Sequence, residues 1–502
     1  MKPVFRSSNR TRGLLLGLLV VTLLIWFLSL PRFNHGVRPP ATAPYHSVEG
    51  NAPRDLQEAF PFSALTKHGS ASVEMKQYFD HQRRILASLR TEPEAGGVRL
   101  AAMGDLMRMT QPQTDALAPS LRSYLAQFDL LTANLETLIS SRQPVPPDSL
   151  FLMNSDPVIL DGFRGDRDAA PKALLSLANN HILDFSDETV YETLQQLEQD
   201  NIRYHGIARP GEARRFELVE RSGIRIGYYA ATTFVNDMPR LDDTGAALTP
   251  LLDGMRSLPF YFWKPFAEID LTDLRNVIAD MRAAGVDLTV ISLHWGREHV
   301  LYPDPLQVDI AHALVQAGAD LVIGAHTHVP QPAEVCFVNG YETRLAPALA
   351  DDVAANGCRL QGEGSARKGL ILYSLGNARS YSLSFWQQLG TVAELQLNKR
   401  DGVTDWNWQG FTFTYDAQVQ PPNGPRQWRL LGDHLQAHCA DNECPDRLTA
   451  LAAQAERHMQ GTSLSEWEER HQHWLSLSDS VNRWINVLAG NTSDLFPAPP
   501  AP

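Results

Sequence analysis

Four cysteines in 502 residues are too few for a disulfide-dense scaffold. None stands in a Cys-x-x-Cys pair, so the usual thiolate zinc motifs are missing. Basic charge is also in short supply. Lys and Arg number 44 against 57 Asp and Glu, and the formal net charge is −13. A chain that wraps nucleic acid on a basic face is thereby excluded, and no nucleic-acid partner is expected. The Gly-rich fingerprints of dinucleotide and P-loop sites are absent, so no nucleotide cofactor is indicated. No G-x-S-x-G elbow occurs either, which leaves Ser374 in YSLG a weak candidate nucleophile. Aromatics are not scarce: ten Trp, thirteen Tyr and twenty Phe are too much apolar mass to stay solvated, which excludes disorder throughout.

Only one hydrophobic run is long enough to cross a bilayer, and it lies near the amino terminus. Residues 1–12 carry Lys2, Arg6, Arg10 and Arg12 with no acid, and 13–30 (GLLLGLLVVTLLIWFLSL) carry no charge. At about 1.5 Å per residue this segment spans roughly 27 Å, close to a hydrocarbon core. Basic residues before the span hold that end in the cytoplasm. A single-pass cell-membrane anchor is expected, with the bulk of the chain extracytoplasmic. The competing reading is a cleaved signal peptide. It is disfavoured because the nearest small-x-small pattern, Ala41-Thr42-Ala43, lies well beyond the span. In an oxidising compartment Cys336, Cys358, Cys439 and Cys444 allow three pairings, the sequence-local one being Cys336–Cys358 with Cys439–Cys444. Plain buried thiols remain an equal alternative.

Residues 31–73 are rich in Pro, Ala, His and Ser and read as a tether. Residues 74–90 read as an amphipathic helix, with Tyr78, Ile85 and Leu89 at helical spacing. From 98 to 397, short β-type runs alternate with helical stretches, the pattern of an α/β fold. The runs are 98–103, 129–134, 173–178, 224–230, 286–293, 319–325 and 369–375. Helices are expected at 187–200, with Ser186 as N-cap, at 271–284 and at 306–317. Residues 236–266 and 333–368 read as insertions around this core. A mixed carboxy-terminal extension follows over 398–490, with strands first and a helical stretch at 445–488. A Pro-rich tail covers 491–502.

The chemistry gathers at the carboxyl ends of the β runs, where open α/β sheets bind their ligands. These exits read Gly104-Asp105, Asn134-Leu135-Glu136, Asn179-Asn180-His181, His294-Trp295-Gly296, His326-Thr327-His328 and Gly376-Asn377. Five of them offer a metal-ligand type. Imidazoles and carboxylates around an open position hold a divalent metal, which polarises an oxygen or activates water. Asp105, Glu136, Asn180, His294, His326 and His328 are the candidate ligands. Gly104, Gly296 and Gly324 would allow tight turns and close backbone approach. The bland readings are a helix N-cap for Asp105, a solvated side chain for Glu136, a turn for Asn180-His181 and a packed core residue for His294. His205, His299 and His312 read as ordinary surface or core residues.

The order GD at 104–105, NLE at 134–136, ANNHILD at 178–184, LHWG at 293–296, GAHTHVPQP at 324–332 and YSLGN at 373–377 resembles the CapA family. That is the bacterial poly-γ-glutamate capsule synthesis family, related to the calcineurin-like metallophosphoesterases. The resemblance covers about 98–397 and implies an α/β/β/α metallophosphoesterase-like sandwich, here with an amino-terminal transmembrane helix. It also implies a divalent metal (Mn, Fe or Zn) and places His181 as catalytic acid or transition-state stabiliser, oriented by Asp184. Met107 stands where the calcineurin-like pattern has a histidine. One well-made metal site and a weaker or absent second are therefore expected. The implied role is capsule-polymer synthesis or export at the membrane, with an anionic polymer and other capsule-synthesis proteins as partners. The reaction stays open between a phosphoester, a γ-glutamyl amide and non-catalytic polymer binding or assembly. With a net charge of −13, contact with a polyanion would need local compensation, for which Arg108, Arg297 and Arg379 are candidates, solvated surface being their alternative.

Overall fold

The structure, a computed structural model, describes residues 73–108, 117–141, 152–212, 214–233, 235–236, 269–380, 385–400, 402–416, 427–434 and 459. The expected anchor at 13–30, nearly all of the tether, most of the 236–266 insertion, Cys439 and Cys444, all of the 445–488 helical stretch but residue 459, and the tail lie outside these residues. Among the described residues, no helix is long and apolar enough to cross a membrane.

Helix α1 (Val73–Ser88) precedes β1 (Val98–Met107), α2 (Pro119–Leu125) and β2 (Leu130–Glu136). Two short strands follow, β3 (Leu138–Ile139) and β4 (Asn154–Ser155), then β5 (Ala173–Ser176), α3 (Asp187–Gln199) and β6 (Ile202–His205). Next come β7 (Glu217–Arg221), β8 (Ile224–Thr232), α4 (Thr272–Ala283), β9 (Leu288–His294), α5 (Pro305–Ala317) and β10 (Leu321–Ala325). The chain continues through β11 (Ala333–Val338), α6 (Pro347–Asn356), β12 (Cys358–Leu360), β13 (Arg367–Leu372) and β14 (Asn377–Arg379). The short α7 (Phe385–Gln388), β15 (Leu389–Arg400), β16 (Val403–Asp416) and β17 (Trp428–Leu430) follow.

These strands build two mixed sheets, with β3 and β4 paired apart from them. One has the order β17-β16-β15-β1-β2-β5-β6, with β14 also on β1; the other runs β12-β11-β13-β10-β9-β8-β7. The period-two alternation of side chains explains the layering. Leu100 and Ala102 of β1 enter one core with Tyr228, Val290 and Ile323 of the other sheet, so that core lies between the sheets. Ala101 and Met103, pointing the other way, pack with Leu121 and Leu125 of α2 and Val190, Leu194 and Leu197 of α3. On the far side Tyr229, Ile291, Leu293 and Val322 pack with α4 and α5. Both faces of the central strands are covered, which is why these strands read as almost unbroken apolar runs. Helix α4 buries Leu274, Val277, Ile278 and Met281, one stripe of a 3.6-residue period. Ser186 stands at the N-cap of α3 without a side-chain capping bond, while Asp187 and Glu188 occupy the first turn as its dipole favours.

Two stretches differ from expectation. Residues 333–368 supply β11 and β12 of the second sheet, β11 pairing antiparallel with β13. Their strand character was masked by Glu334, a carboxylate in the middle of an apolar run. It is fully buried and accepts from Tyr78 of α1 and, at 2.6 Å, from Tyr373. The first sheet continues past Leu397, because β16 pairs with β15 along its length and β17 with β16. Cys336 and Cys358, partners in the β11–β12 register, form a disulfide.

Candidate metal centre

Strands β1, β2, β5 and β6 run parallel, as do β8, β9, β10 and β13, so their carboxyl ends emerge together in each sheet. The two sets of ends meet. Asp105 lies near the end of β1 beyond a register shift between Ala102 and Asp105 that re-aims it. Glycine is obligatory just before it: a Cβ on Gly104 would stand 1.8 Å from the Gly376 carbonyl oxygen, which accepts from the Asp105 amide. Gly324 is similar, since its Cβ would meet the Tyr373 carbonyl oxygen at 1.9 Å.

All six candidate ligands are brought together and all are buried. His294 Nε2 lies 2.7 Å from Asn180 Oδ1 and 3.5 Å from Glu136 Oε1. His328 Nδ1 lies 3.4 Å from Asp105 Oδ2 and 3.8 Å from Glu136 Oε2. The His294 and His326 rings are 4.7 Å apart between centroids, and those of His326 and His328 5.8 Å. Donor atoms fall into two triads that share Glu136: Asp105, Glu136 and His294, and Glu136, His326 and His328. Ligands around one cation at bonds of about 2.0–2.2 Å stand roughly 3–4 Å from each other, the spacing found here. His326 and His328 both adopt positive φ, at 92° and 58°, an uncommon backbone state for non-glycine residues that clusters at functional sites.

Around these six stands a shell of asparagines. Asn134 donates to Asp105 Oδ1 at 2.8 Å and lies 3.2 Å from His294 Nδ1. Asn179 donates to Asn134 Oδ1 and to the Leu135 carbonyl. Asn377 Oδ1 is 3.1 Å from His328 Nδ1. Sequence reading placed Asn134, Asn179 and Asn377 inside motifs without giving them a task. Asn236, whose amide nitrogen lies 3.2 Å from His181 Nδ1 and whose oxygen accepts from Asn180, carried no signal at all, because it opens a stretch read as an insertion. His181 Nδ1 is 2.7 Å from Asp184 Oδ2, and the same oxygen accepts from the Met153 amide at 2.8 Å. Asp184 is thus fixed by the backbone and in turn fixes the ring.

Other residues singled out in the sequence serve elsewhere. His205 accepts the Ala230 amide, Ser374 Oγ accepts the Gly376 amide, and Met107 is buried in register with Glu136. His299 lies beside the centre, its ring 5.9 Å from that of His328. Arg108 and Arg379 are buried rather than solvated surface: Arg379 lies against Asp416 at 3.1 Å and Arg108 donates to the Leu152 carbonyl, while partly exposed Arg297 is paired with Asp304 at 3.0 Å. Their guanidinium groups are answered by partners within the fold.

Burial, and after it the Asp105 carboxylate, push the Glu136 carboxyl well above its ordinary range. Burial, with the neighbouring histidines, holds His294 and His326 well below theirs, so both rings are neutral with lone pairs to offer. Burial also opposes charge on His328, but Glu136 and Asp105 overcome it and raise His328 to about 10. Neither oxygen of Glu136 accepts a hydrogen bond among the described residues. A fully buried acid without donors beside neutral imidazoles fits a divalent cation, and mixed N and O donors suit Mn, Fe or Zn. Protons and metal then compete for one site. Below pH 10 His328 must lose its proton to ligate, so apparent affinity should rise with pH, about tenfold per unit for each proton displaced. Calorimetric titration with Mn²⁺ or Zn²⁺ in buffers of different ionisation enthalpy should show at least one proton released; none released would contradict this arrangement.

Comparison with known proteins agrees with the motif order. A stretch of 165 residues is 28% identical to the capsule biosynthesis protein CapA of Bacillus anthracis, covering 32% of this chain and 36% of that protein. A stretch of 222 residues is 31% identical to a probable polyglutamine synthesis accessory protein of Mycobacterium tuberculosis, covering 41% and 52%. The chain therefore spans about a third to a half of the curated relatives it matches. Among solved structures, the calcineurin-like phosphoesterase YfkN of Bacillus subtilis matches at 13% identity and a TM-score of 0.31, over 72% of this chain and 97% of that one. The profile of the bacterial capsule synthesis protein PGA_cap matches residues 99–381, more than half of the sequence, and the chain belongs to that family.

Proposed function

We propose that this chain is a metal-dependent hydrolase of capsule poly-γ-glutamate synthesis or export, held at the cell membrane by residues 13–30 with its body outside the cytoplasm. The observation that carries the reading is the meeting of six ligand-type side chains from five strand ends beside the His181–Asp184 pair. Asp105, Glu136, Asn180, His294, His326 and His328 would hold the cation, with one strong position and a weaker second. When bound it would supply Lewis acidity and a water of lowered pKa. His181, with Nδ1 held by Asp184, keeps Nε2 for exchanging a proton with a leaving group or a developing oxyanion. Asn134 and Asn377 orient Asp105, His294 and His328 as outer partners of metal ligands do.

The scissile bond is a phosphoester or a γ-glutamyl amide. The alternative, a polymer-binding assembly component without catalysis, draws on Met107, which replaces a ligand of the calcineurin-like pattern. It is the weaker reading, because it gives no task to the His181–Asp184 pair beside the ligand-type cluster.

The test is turnover of a chromogenic phosphodiester and a γ-glutamyl peptide, side by side, by the detergent-solubilised full chain supplied with Mn²⁺, Fe²⁺ or Zn²⁺. Turnover of one substrate should depend on metal, and His181→Ala should lower kcat by about 100-fold or more with metal content unchanged. No turnover of either substrate with any of the three metals, or only a background rate unchanged by metal and by His181→Ala, would favour the assembly component.

A further inference from the structure

A second cluster of ligand-type side chains lies in the second sheet, outside the centre described above. His312 of α5, Glu334 and Cys336 of β11 and Cys358 of β12 are all buried, and one donor atom from each falls within 4.8 Å of the others. His312 Nε2 is 2.8 Å from Glu334 Oε1 and 3.6 Å from Cys358 Sγ, and Cys336 Sγ is 3.4 Å from the same Glu334 oxygen. Tyr78 and Tyr373 hydroxyls donate to Glu334, which fixes its orientation from outside the cluster. The disulfide occupies the place of two donors.

We propose that His312, Glu334, Cys336 and Cys358 form a four-ligand site for a zinc-type cation, open when the disulfide is reduced. A tetrahedral zinc with bonds of about 2.0–2.3 Å spaces its donors roughly 3.3–3.8 Å apart, so His312, Glu334 and the sulfurs need only small movements once the sulfurs are free to separate. Two thiolates, one imidazole and one carboxylate suit a borderline-soft ion, and the two tyrosines serve as outer partners to the carboxylate. The chemistry balances with a phosphine reductant. Disulfide, phosphine and water give two thiols and the phosphine oxide. The two thiols then bind the cation as thiolates and release two protons to solvent. Either way, disulfide or metal, β11 and β12 stay joined across the α6 excursion and α5 is tied to them in the metal form, so the staple persists in both redox states.

Cobalt(II) is the probe, because thiolate-to-cobalt charge-transfer bands report sulfur ligation and the oxygen- and nitrogen-based centre cannot produce them. The full chain carrying Cys439→Ser and Cys444→Ser is used, so that only Cys336 and Cys358 supply thiols. After phosphine reduction, with two thiols counted by thiol reagent, one cobalt with thiolate bands should bind; the oxidised protein should show none. His312→Ala and Glu334→Gln should each weaken that binding at least about tenfold while leaving two reducible sulfurs. Zinc should also raise the melting temperature of the reduced protein by more than it raises that of the thiol-free form, Cys336→Ser with Cys358→Ser, which keeps only the centre at the strand ends. Two free thiols without thiolate–cobalt absorbance, or identical absorbance in His312→Ala, would overturn the proposal. Should the variants fail to fold, a reduced wild-type chain whose melting temperature rises with zinc no more than that of the oxidised chain would do the same.

Discussion

Replacing His294 by alanine is expected to weaken metal binding by about 1,000-fold or more, and metal analysis of the purified full chain should fall from near-stoichiometric to trace. The reason is positional. His294 is fully buried at the end of β9, with Nε2 facing both Asn180 and Glu136, so it joins ligands from three strand ends. Its ring is kept neutral by burial and by the adjacent histidines, which makes its lone pair available at neutral pH without the loss of a proton. An outer partner such as Asn134 contributes orientation alone. Asn134→Ala should weaken binding by about 10- to 100-fold, the range typical of such partners. Equal metal content in wild type and His294→Ala would sink the centre as a whole, whereas an Asn134→Ala effect as large as that of His294→Ala would reverse the assigned roles.

The second large effect concerns stability. Asp309 lies inside α5, fully buried, and neither carboxylate oxygen has a hydrogen-bond partner among the described residues. Burial raises it from 3.8 to about 8. Below pH 4 the folded and unfolded chains both hold the proton. Between about 4 and 8 the unfolded chain ionises while the folded one does not, so stability is lost as pH rises, up to a ceiling on the order of 5 kcal/mol. An asparagine side chain cannot ionise and has nearly the same shape. Asp309→Asn should therefore melt close to wild type at pH 4 and progressively higher as pH rises to about 8, after which the margin stays constant. A margin that does not change with pH across that window would contradict the assignment of the buried carboxyl as its source.

Much of the candidate site was legible because strand exits can be read one at a time. Apolar runs ending in Asp105, Glu136, His294 and His326 announce both the strand and the ligand at its end, and such ligands need no knowledge of the partner strand. Glycines 104 and 324 were readable as places of close approach, though the carbonyls of Gly376 and Tyr373 that make them necessary were not. The partners of the arginines beside the motifs were not legible, because their charge is answered at a distance: Arg379 meets Asp416 from another strand of the same sheet. Glu334 hid the strand it occupies for a similar reason, since its hydroxyl donor Tyr78 is 256 positions away.

The sequence by itself determined the alternation of strands and helices, the ligand-type residues at the strand ends and membership in a capsule-synthesis family, because periodicity and local motifs are properties of short segments. It also left the four cysteines open among three pairings and plain thiols. Only the tertiary structure decided that Cys336 pairs with Cys358, that Asn134, Asn236 and Asn377 brace the candidate ligands, and that Arg108 and Arg379 are buried. Those outcomes depend on which strands become neighbours, and a contact between residues such as Asn134 and His294, 160 positions apart, exists only once both sheets have packed on their shared core.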